Sequence, residues 1–195
     1  MIKVLKEHGY EEARLGLGLS YGLSNNKEDG AANNFKRLEQ VARKISNKGN
    51  GENKFLESIV VWLHIEAPRY IWQEFDTYRV GVTKQSSSTM HTLKKTAISM
   101  GLFDEMELQD NSDDFEEIKL FEKIHKRGNL HDIKIALPEG FLQGRIVCTN
   151  YKTIQNIYKQ RYNHRLGWWK DNLEELLQQL QHPELINAIG DYGSK

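Results

Sequence analysis

The sequence predicts a mixed α/β chain folded as one domain. Two runs, Phe55–Ile65 and Gly144–Thr149, are short, apolar and bounded by turn residues, as strands are. Asn33–Lys48, Tyr151–Arg161 and Trp168–Leu180 repeat their apolar residues at helical spacing instead. The chain has 195 residues, 38% of them hydrophobic, which is enough for one sizeable core.

The elements follow in order. Ile2–Leu5 is expected as a short strand. Tyr10–Leu19 is expected as a helix, with Glu11 and Glu12 in its first turn, where the helix dipole favours anions. Gly16, Gly18 and Gly22 lack the spacing and the strand–loop–helix setting of a dinucleotide-binding loop. Ser24–Ala32 is polar and reads as a loop. Asn33–Lys48 places Phe35, Leu38, Val41, Ala42 and Ile45 on one face, and the Gly/Asn-rich Asn47–Asn53 breaks it. Glu57 stands near the start of the Phe55–Ile65 strand. Its carboxylate needs a partner if buried and is a plain strand-end charge if exposed. His64 reads as structural, because nothing near it has metal-ligand spacing, and no metal site is expected. Pro68 suits a first helical turn, so Arg69–Tyr78 is expected to be helical and to end at Arg79.

Val80–Met90 is polar and serine-rich and reads as a loop. His91–Met100 is a further helix candidate, and Gly101–Asp114 an acidic, solvated loop. Phe115–Lys126 is expected to be helical, with Phe115, Ile118, Leu120, Phe121 and Ile124 as its apolar set, until Gly128 breaks it. Asn129–Ala136 is a shorter helix. Trp168–Leu180 groups Trp169, Leu173, Leu176, Leu177 and Leu180, and its paired tryptophans suggest core or subunit contact. Pro183 starts a last short helix, and Gly190–Lys195 should fray.

Lys+Arg and Asp+Glu both number 27, so the net charge is zero. General nucleic-acid binding needs a basic excess and is not expected, although a local basic pocket stays open. The single cysteine, Cys148, excludes an intrachain disulfide and fits a reducing cytoplasm. Within a strand it reads as a small buried apolar residue. The start of the chain lacks the apolar core of a signal peptide, and no run reaches the roughly 18 apolar residues of a membrane span. A soluble, cytoplasmic protein without membrane contact is expected.

The stretch Lys134–Arg161 concentrates the chemistry. Leu137-Pro138 and Gly140 make a loop, Gly144–Thr149 a strand, and Asn150 is suited to cap the helix Tyr151–Arg161. Lys152, Asn156 and Arg161 project from that helix, and Lys134 precedes the loop. Cations and amides around one strand-to-helix junction can hold a phosphate or a carbonyl-rich ring. The plain alternative is an ordinary strand–helix pair with surface cations.

These residues carry a resemblance. Lys134, Leu137-Pro138, Asn150-x-Lys152, Asn156 and Arg161 fall at the spacings of the C-terminal half of the flavin-dependent thymidylate synthases, the ThyX family. Lys134 and Lys152 replace two of the family's arginines. Upstream, Glu57 closes a run from Glu52 that resembles the family's His-x-Ser/Thr-Pro-Phe-Glu without its His and Thr. Arg79, Gln85 and Ser87 match positions of the family's Arg-His-Arg-x-x-Ser-x-Asn/Ser-Glu/Gln-x-Ser-x-Arg signature. Thr77 and Tyr78 stand in place of its Arg-His, Val82 of its first Ser, Lys84 of its Asn/Ser and Thr89 of its last Arg.

The resemblance implies a thymidylate synthase-complementing (ThyX-like) α/β fold, a central sheet flanked by helices, in a single domain over residues 1–195. It implies a homotetramer with sites between subunits. It implies reductive methylation of dUMP to dTMP with FAD, NADPH and methylene-tetrahydrofolate. By position Glu57, Arg79, Asn150, Lys152 and Asn156 match flavin-contacting residues. Gln85, Ser87, Lys134 and Arg161 match residues around the nucleotide, and Arg79 and Ser87 take the catalytic positions. A reduced flavin carries negative charge near N1, which a fixed cation stabilises. The nucleotide phosphate is best met by forked arginine contacts. Thr77 and Thr89 supply none. Each lost contact is worth roughly 1.5–3 kcal/mol, so the pair costs about 10²–10⁴ in nucleotide affinity unless Lys84 or another cation compensates. Two classes are therefore expected. One is a thymidylate synthase, or a related pyrimidine-nucleotide methyltransferase, with altered or reduced activity. The other is a catalytically inactive binding or interaction protein that keeps the fold.

Overall fold

The computed structural model describes residues 1–22, 31–49, 51–95, 102–103 and 114–186. The elements are strand β1 (Ile2–His8), helices α1 (Tyr10–Ser20) and α2 (Ala31–Ser46), a 3₁₀ turn at Lys54–Ser58, β2 (Val60–Pro68), α3 (Arg69–Phe75) and β3 (Thr83–Ser86). Next come α4 (Thr89–Thr92), a 3₁₀ turn at Leu93–Lys95, α5 (Asp114–Arg127), α6 (Leu130–Ile135) and β4 (Leu142–Asn150). Helices α7 (Tyr151–Arg161) and α8 (Gly167–Gln179) and a 3₁₀ turn at Pro183–Leu185 close the described chain. The strands form one antiparallel sheet in the order β1-β2-β4-β3, flanked by helices. No helix among the described residues is long and apolar enough to cross a membrane.

The chain divides into two compact units. One comprises Met1, Ile65–Tyr78 and Lys84–Ile146. Its core is Leu93, Phe103, Phe121, Ile133, Leu137 and Phe141, with Leu102, Ile118 and Ala136 packed against it. Phe103 meets Phe121 and Phe141 edge-on, the arrangement that ring quadrupoles favour. Asn129 caps α6, its side-chain oxygen accepting from Asp132 N at 3.0 Å. Leu120, counted with the apolar set of α5, is exposed instead.

The other unit comprises Ile2–His64, Arg79–Thr83 and Val147–Lys195. Here α1 and α7 pack on the Lys54–Ser58 turn, and α8 packs on β1. The link from β1 to α1 requires glycine. Gly9 has φ 88°, and a Cβ on it would stand 2.3 Å from Ser58 O. Trp169, Leu173, Leu176, Leu177 and Leu180 are all buried, as their helical spacing predicts.

Several expected boundaries move. β1 runs on to His8, and α3 stops at Phe75. Phe55–Ile65 is not one strand. Its first part is the 3₁₀ turn, with Leu56 N donating to Asn53 O at 3.1 Å, and Phe55, Leu56 and Ile59 are buried there. Val80–Met90, expected as a loop, contains β3 and the start of α4. Of the expected His91–Met100 helix, residues 91–95 form the end of α4 and a 3₁₀ turn, and 96–100 lie outside the described residues. So do most of Gly101–Asp114, most of Ser24–Ala32 and all of Gly190–Lys195.

Candidate functional site

β4 runs out at Asn150, whose extended backbone turns the chain into α7. Its side-chain oxygen accepts from Thr153 N at 2.9 Å, the expected cap. The Arg79–Thr83 segment passes this junction closely. Gly81 has φ 69°, and a Cβ on it would lie 2.7 Å from both Asn150 Nδ2 and Thr153 Oγ1. Thr153 Oγ1 donates to Val80 O at 3.1 Å and fastens the segment to the helix. Arg79, Gly81, Val82, Cys148, Thr149 and Asn150 are among the residues lining a cleft of about 420 Å³.

Three features of this cleft suit a polar ligand. The Arg79 side chain is exposed and has no partner among the described residues. Thr149 is 3% exposed, and its hydroxyl has no hydrogen-bond partner among the described residues. The start of an 11-residue helix faces the same junction. Cys148, expected to be buried, is half-exposed here. Val147 and Thr149 take the inward positions of β4, so strand alternation turns the thiol outward.

The other residues matched to flavin contacts do not line this cleft. Lys152 is hydrogen-bonded to Asn53 Oδ1. Asn53 in turn donates to Ser46 O at 3.0 Å and to Gln155 Oε1 at 3.3 Å. Gln155 donates to Ser46 O at 2.9 Å and Leu185 O at 3.0 Å, and accepts from Lys159 Nζ at 3.0 Å. Lys152 thus serves an internal polar hub. Burial and the neighbouring Lys152 charge both lower the Lys159 pKa. Asn156 is exposed and accepts from Gln160 Nε2 at 3.0 Å. Glu57 is exposed on the 3₁₀ turn and lines a separate recess of about 860 Å³ with Glu12, Gly16, Leu17, Glu52 and Phe55.

The residues matched to the nucleotide side are also placed. Arg161 lies over the Trp169 ring, 5.5 Å from its centroid. Gln85 is exposed on β3. Ser87 is exposed, and its backbone is held at both ends: its N–H donates to Gly144 O at 2.9 Å, and its carbonyl accepts from Gln143 Nε2 at 2.9 Å. Lys134 Nζ donates to Thr89 Oγ1 at 2.8 Å. One of the two matched nucleotide-side cations is thus bonded to the hydroxyl standing where an arginine is absent. Thr77 Oγ1 donates to Glu74 O at 2.7 Å. Tyr78 is buried and packs edge-on against Phe75, which makes it part of the core.

Taken over its whole length, the chain matches a crystal structure of the flavin-dependent thymidylate synthase ThyX from Helicobacter pylori complexed with FAD and dUMP. The TM-score is 0.76 at 16% identity, over 96% of this chain and 98% of that one. The chain has the ThyX fold. A second crystal structure of Helicobacter pylori ThyX with FAD and dUMP gives 0.77 at 17% identity, over 98% and 100%. No family model matches this sequence, and no curated protein sequence does.

Within this ThyX fold Lys84 belongs to a cluster whose other members, Asp76 and Arg145, motif reasoning missed. Asp76 receives Lys84 Nζ at 2.8 Å and Arg145 Nη1 at 2.9 Å. Arg145 Nη2 also donates to Gln143 Oε1 at 3.2 Å, and its guanidinium lies 4.1 Å from the Trp72 ring centroid. Burial alone pushes the Asp76 carboxyl up. The hydrogen bonds and charges of Lys84 and Arg145 outweigh it and hold the group below its ordinary value. One signal was available: Arg145 immediately precedes the apolar run Ile146-Val147-Cys148.

Proposed function

We propose that this chain is a flavin-binding protein of the ThyX type, one domain over residues 1–195, acting on a pyrimidine nucleotide with activity altered or reduced relative to thymidylate synthesis. The observation that carries this reading is the meeting of Arg79 and Asn150 in one cleft at the β4–α7 junction, in a fold shared with two Helicobacter pylori ThyX structures that hold FAD and dUMP. The donor set suits FAD. Arg79 would supply a cation for the anionic edge of the ring, and the Asn150 amide would supply a neutral contact to one of its carbonyls. When bound, the flavin supplies hydride chemistry, with NADPH and methylene-tetrahydrofolate as co-substrates. Gln85, Ser87, Lys134 and Arg161 remain the residues assigned to the nucleotide, and a cytoplasmic homotetramer the assembly.

A purified sample should carry or take up FAD, seen as a flavin absorbance band and as FAD released on denaturation. Arg79→Ala should weaken FAD binding about 10–100-fold, the equivalent of one charge-assisted contact. Colourless protein that fails to bind added FAD refutes the reading. A second reading, an inactive binding protein, is favoured by the engagement of Lys134 with Thr89 and of Lys84 with Asp76, which ties up nearby cations. FAD binding without any dTMP formed from dUMP would select it.

A further inference from the structure

The Asp76–Lys84–Arg145 cluster sets two cations against one carboxylate. The side chains of Lys84 and Arg145 are 19% and 15% exposed, and that of Asp76 is 47% exposed. Arg145 lies against the Trp72 ring, and Lys84 Nζ sits 5.4 Å from the Phe75 centroid. Neither ring brings charge. Asp76 is the one carboxylate paired with either cation among the described residues, so the cluster keeps a net positive charge. Arg145 Nε is buried and has no hydrogen-bond partner among the described residues. The cations are thus held from the protein side. The carboxylate is the most exposed member, and ion pairs with an exposed partner are weak.

We propose that Lys84 and Arg145 form a binding site for a phosphate monoester, and that Asp76 occupies this site in the unliganded chain. Phosphate brings more charge than a carboxylate and a third acceptor oxygen. A forked guanidinium beside an ammonium matches it well. The site adjoins assigned residues: Lys84 precedes Gln85, and Gln143, bonded to Arg145, donates to the Ser87 carbonyl. The monoester is therefore the nucleotide's own phosphate, and in that respect the inference rests on the function proposed above. It also supplies charge that Thr77 and Thr89 do not.

Isothermal titration of the full chain with inorganic phosphate, without flavin, tests the site. Asp76→Asn should bind phosphate at least tenfold more tightly than the parent chain. Adding Lys84→Gln to Asp76→Asn should abolish that gain, while adding Arg79→Ala should leave it. Arg145→Gln should also abolish it. Arg145 packs on Trp72, so circular dichroism must show that variant folded. Lys84, on the edge strand β3, keeps the test decisive if it is not. Equal phosphate affinity in the parent and Asp76→Asn, or no effect of Lys84→Gln, overturns the site. Deoxyuridylate that does not compete with phosphate in Asp76→Asn overturns the nucleotide assignment. A chain that refuses FAD yet gives the expected phosphate isotherms separates failure of the flavin reading from failure of this site.

Discussion

Gln155 is 2% exposed and spends its whole amide on internal hydrogen bonds to Ser46, Leu185, Asn53 and Lys159. Replacing it with leucine keeps the volume but takes one hydrogen bond from each of Ser46 O, Leu185 O and the Asn53 amide. An orphaned buried polar group costs about 1–3 kcal/mol, and Asn53 and Ser46 O retain each other. Gln155→Leu is therefore expected to cost about 2–4 kcal/mol in urea denaturation. Asp76 gives a prediction with a pH sign. Its folded pKa is lowered, so its contribution to stability is complete above the unfolded value near 3.8 and is lost as pH falls through the depressed folded value. The carboxylate is exposed, so the contribution is held to about 0.5–1 kcal/mol. Asp76→Asn should lose that amount at neutral pH, and its stability should converge with that of the parent at acid pH below the carboxylate range. A gap that persists in acid would mean that the pair does not stabilise the fold through charge.

At the scale of elements, α7 depends on its first turn. Asn150→Ala removes the cap on Thr153 N and should cost about 1 kcal/mol. Gly81→Ala should cost more, about 1–3 kcal/mol, because φ is positive and the new methyl meets Asn150 and Thr153. It should also weaken FAD binding by moving Arg79, whereas a substitution on the exposed face of α8, Gln178→Ala, should change neither the denaturation midpoint nor the FAD titration. The cap, β4 and α8 were legible because each is written locally: a capping residue at a boundary, a short apolar run, a helical stripe. β3 was not, because Thr83–Ser86 has no apolar alternation, and its strand character comes from pairing with β4. The Lys54–Ser58 turn was hidden for the converse reason, since only Glu57 and Ser58 separate its apolar residues from the apolar run of β2. For the site, spacing put Lys152 on α7 but not its partner Asn53, which is remote in sequence, and no local pattern announced Asp76 with Arg145.

For the molecule as a whole, the match to ThyX structures extends over nearly the full chain at 16–17% identity, so the fold is shared where most side chains differ. The proposed homotetramer is the first point to check: light scattering at micromolar concentration should give a tetramer. A monomer would leave any site shared between subunits incomplete. Activity is the second, and charge decides it. A deoxyuridylate phosphate is close to a dianion, and one desolvated contact to it is worth roughly 1.5–3 kcal/mol. Here Thr77 and Thr89 carry no charge, Lys134 is bonded to Thr89, and Lys84 shares Asp76 with Arg145. Lysine offers a point charge and not a fork. Displacing Asp76 recovers part of the deficit and costs the chain that ion pair. The gene is therefore expected not to support growth of a thymidine auxotroph without added thymidine. Growth on it alone would show that these cations suffice. If growth fails, Thr77→Arg/Thr89→Arg should tighten deoxyuridylate binding at least tenfold. The second of these changes removes the hydroxyl that Lys134 now engages and frees a cation beside the new one. Unchanged affinity in that variant would mean that the residues from Arg79 to Thr89 meet the ligand in a different register.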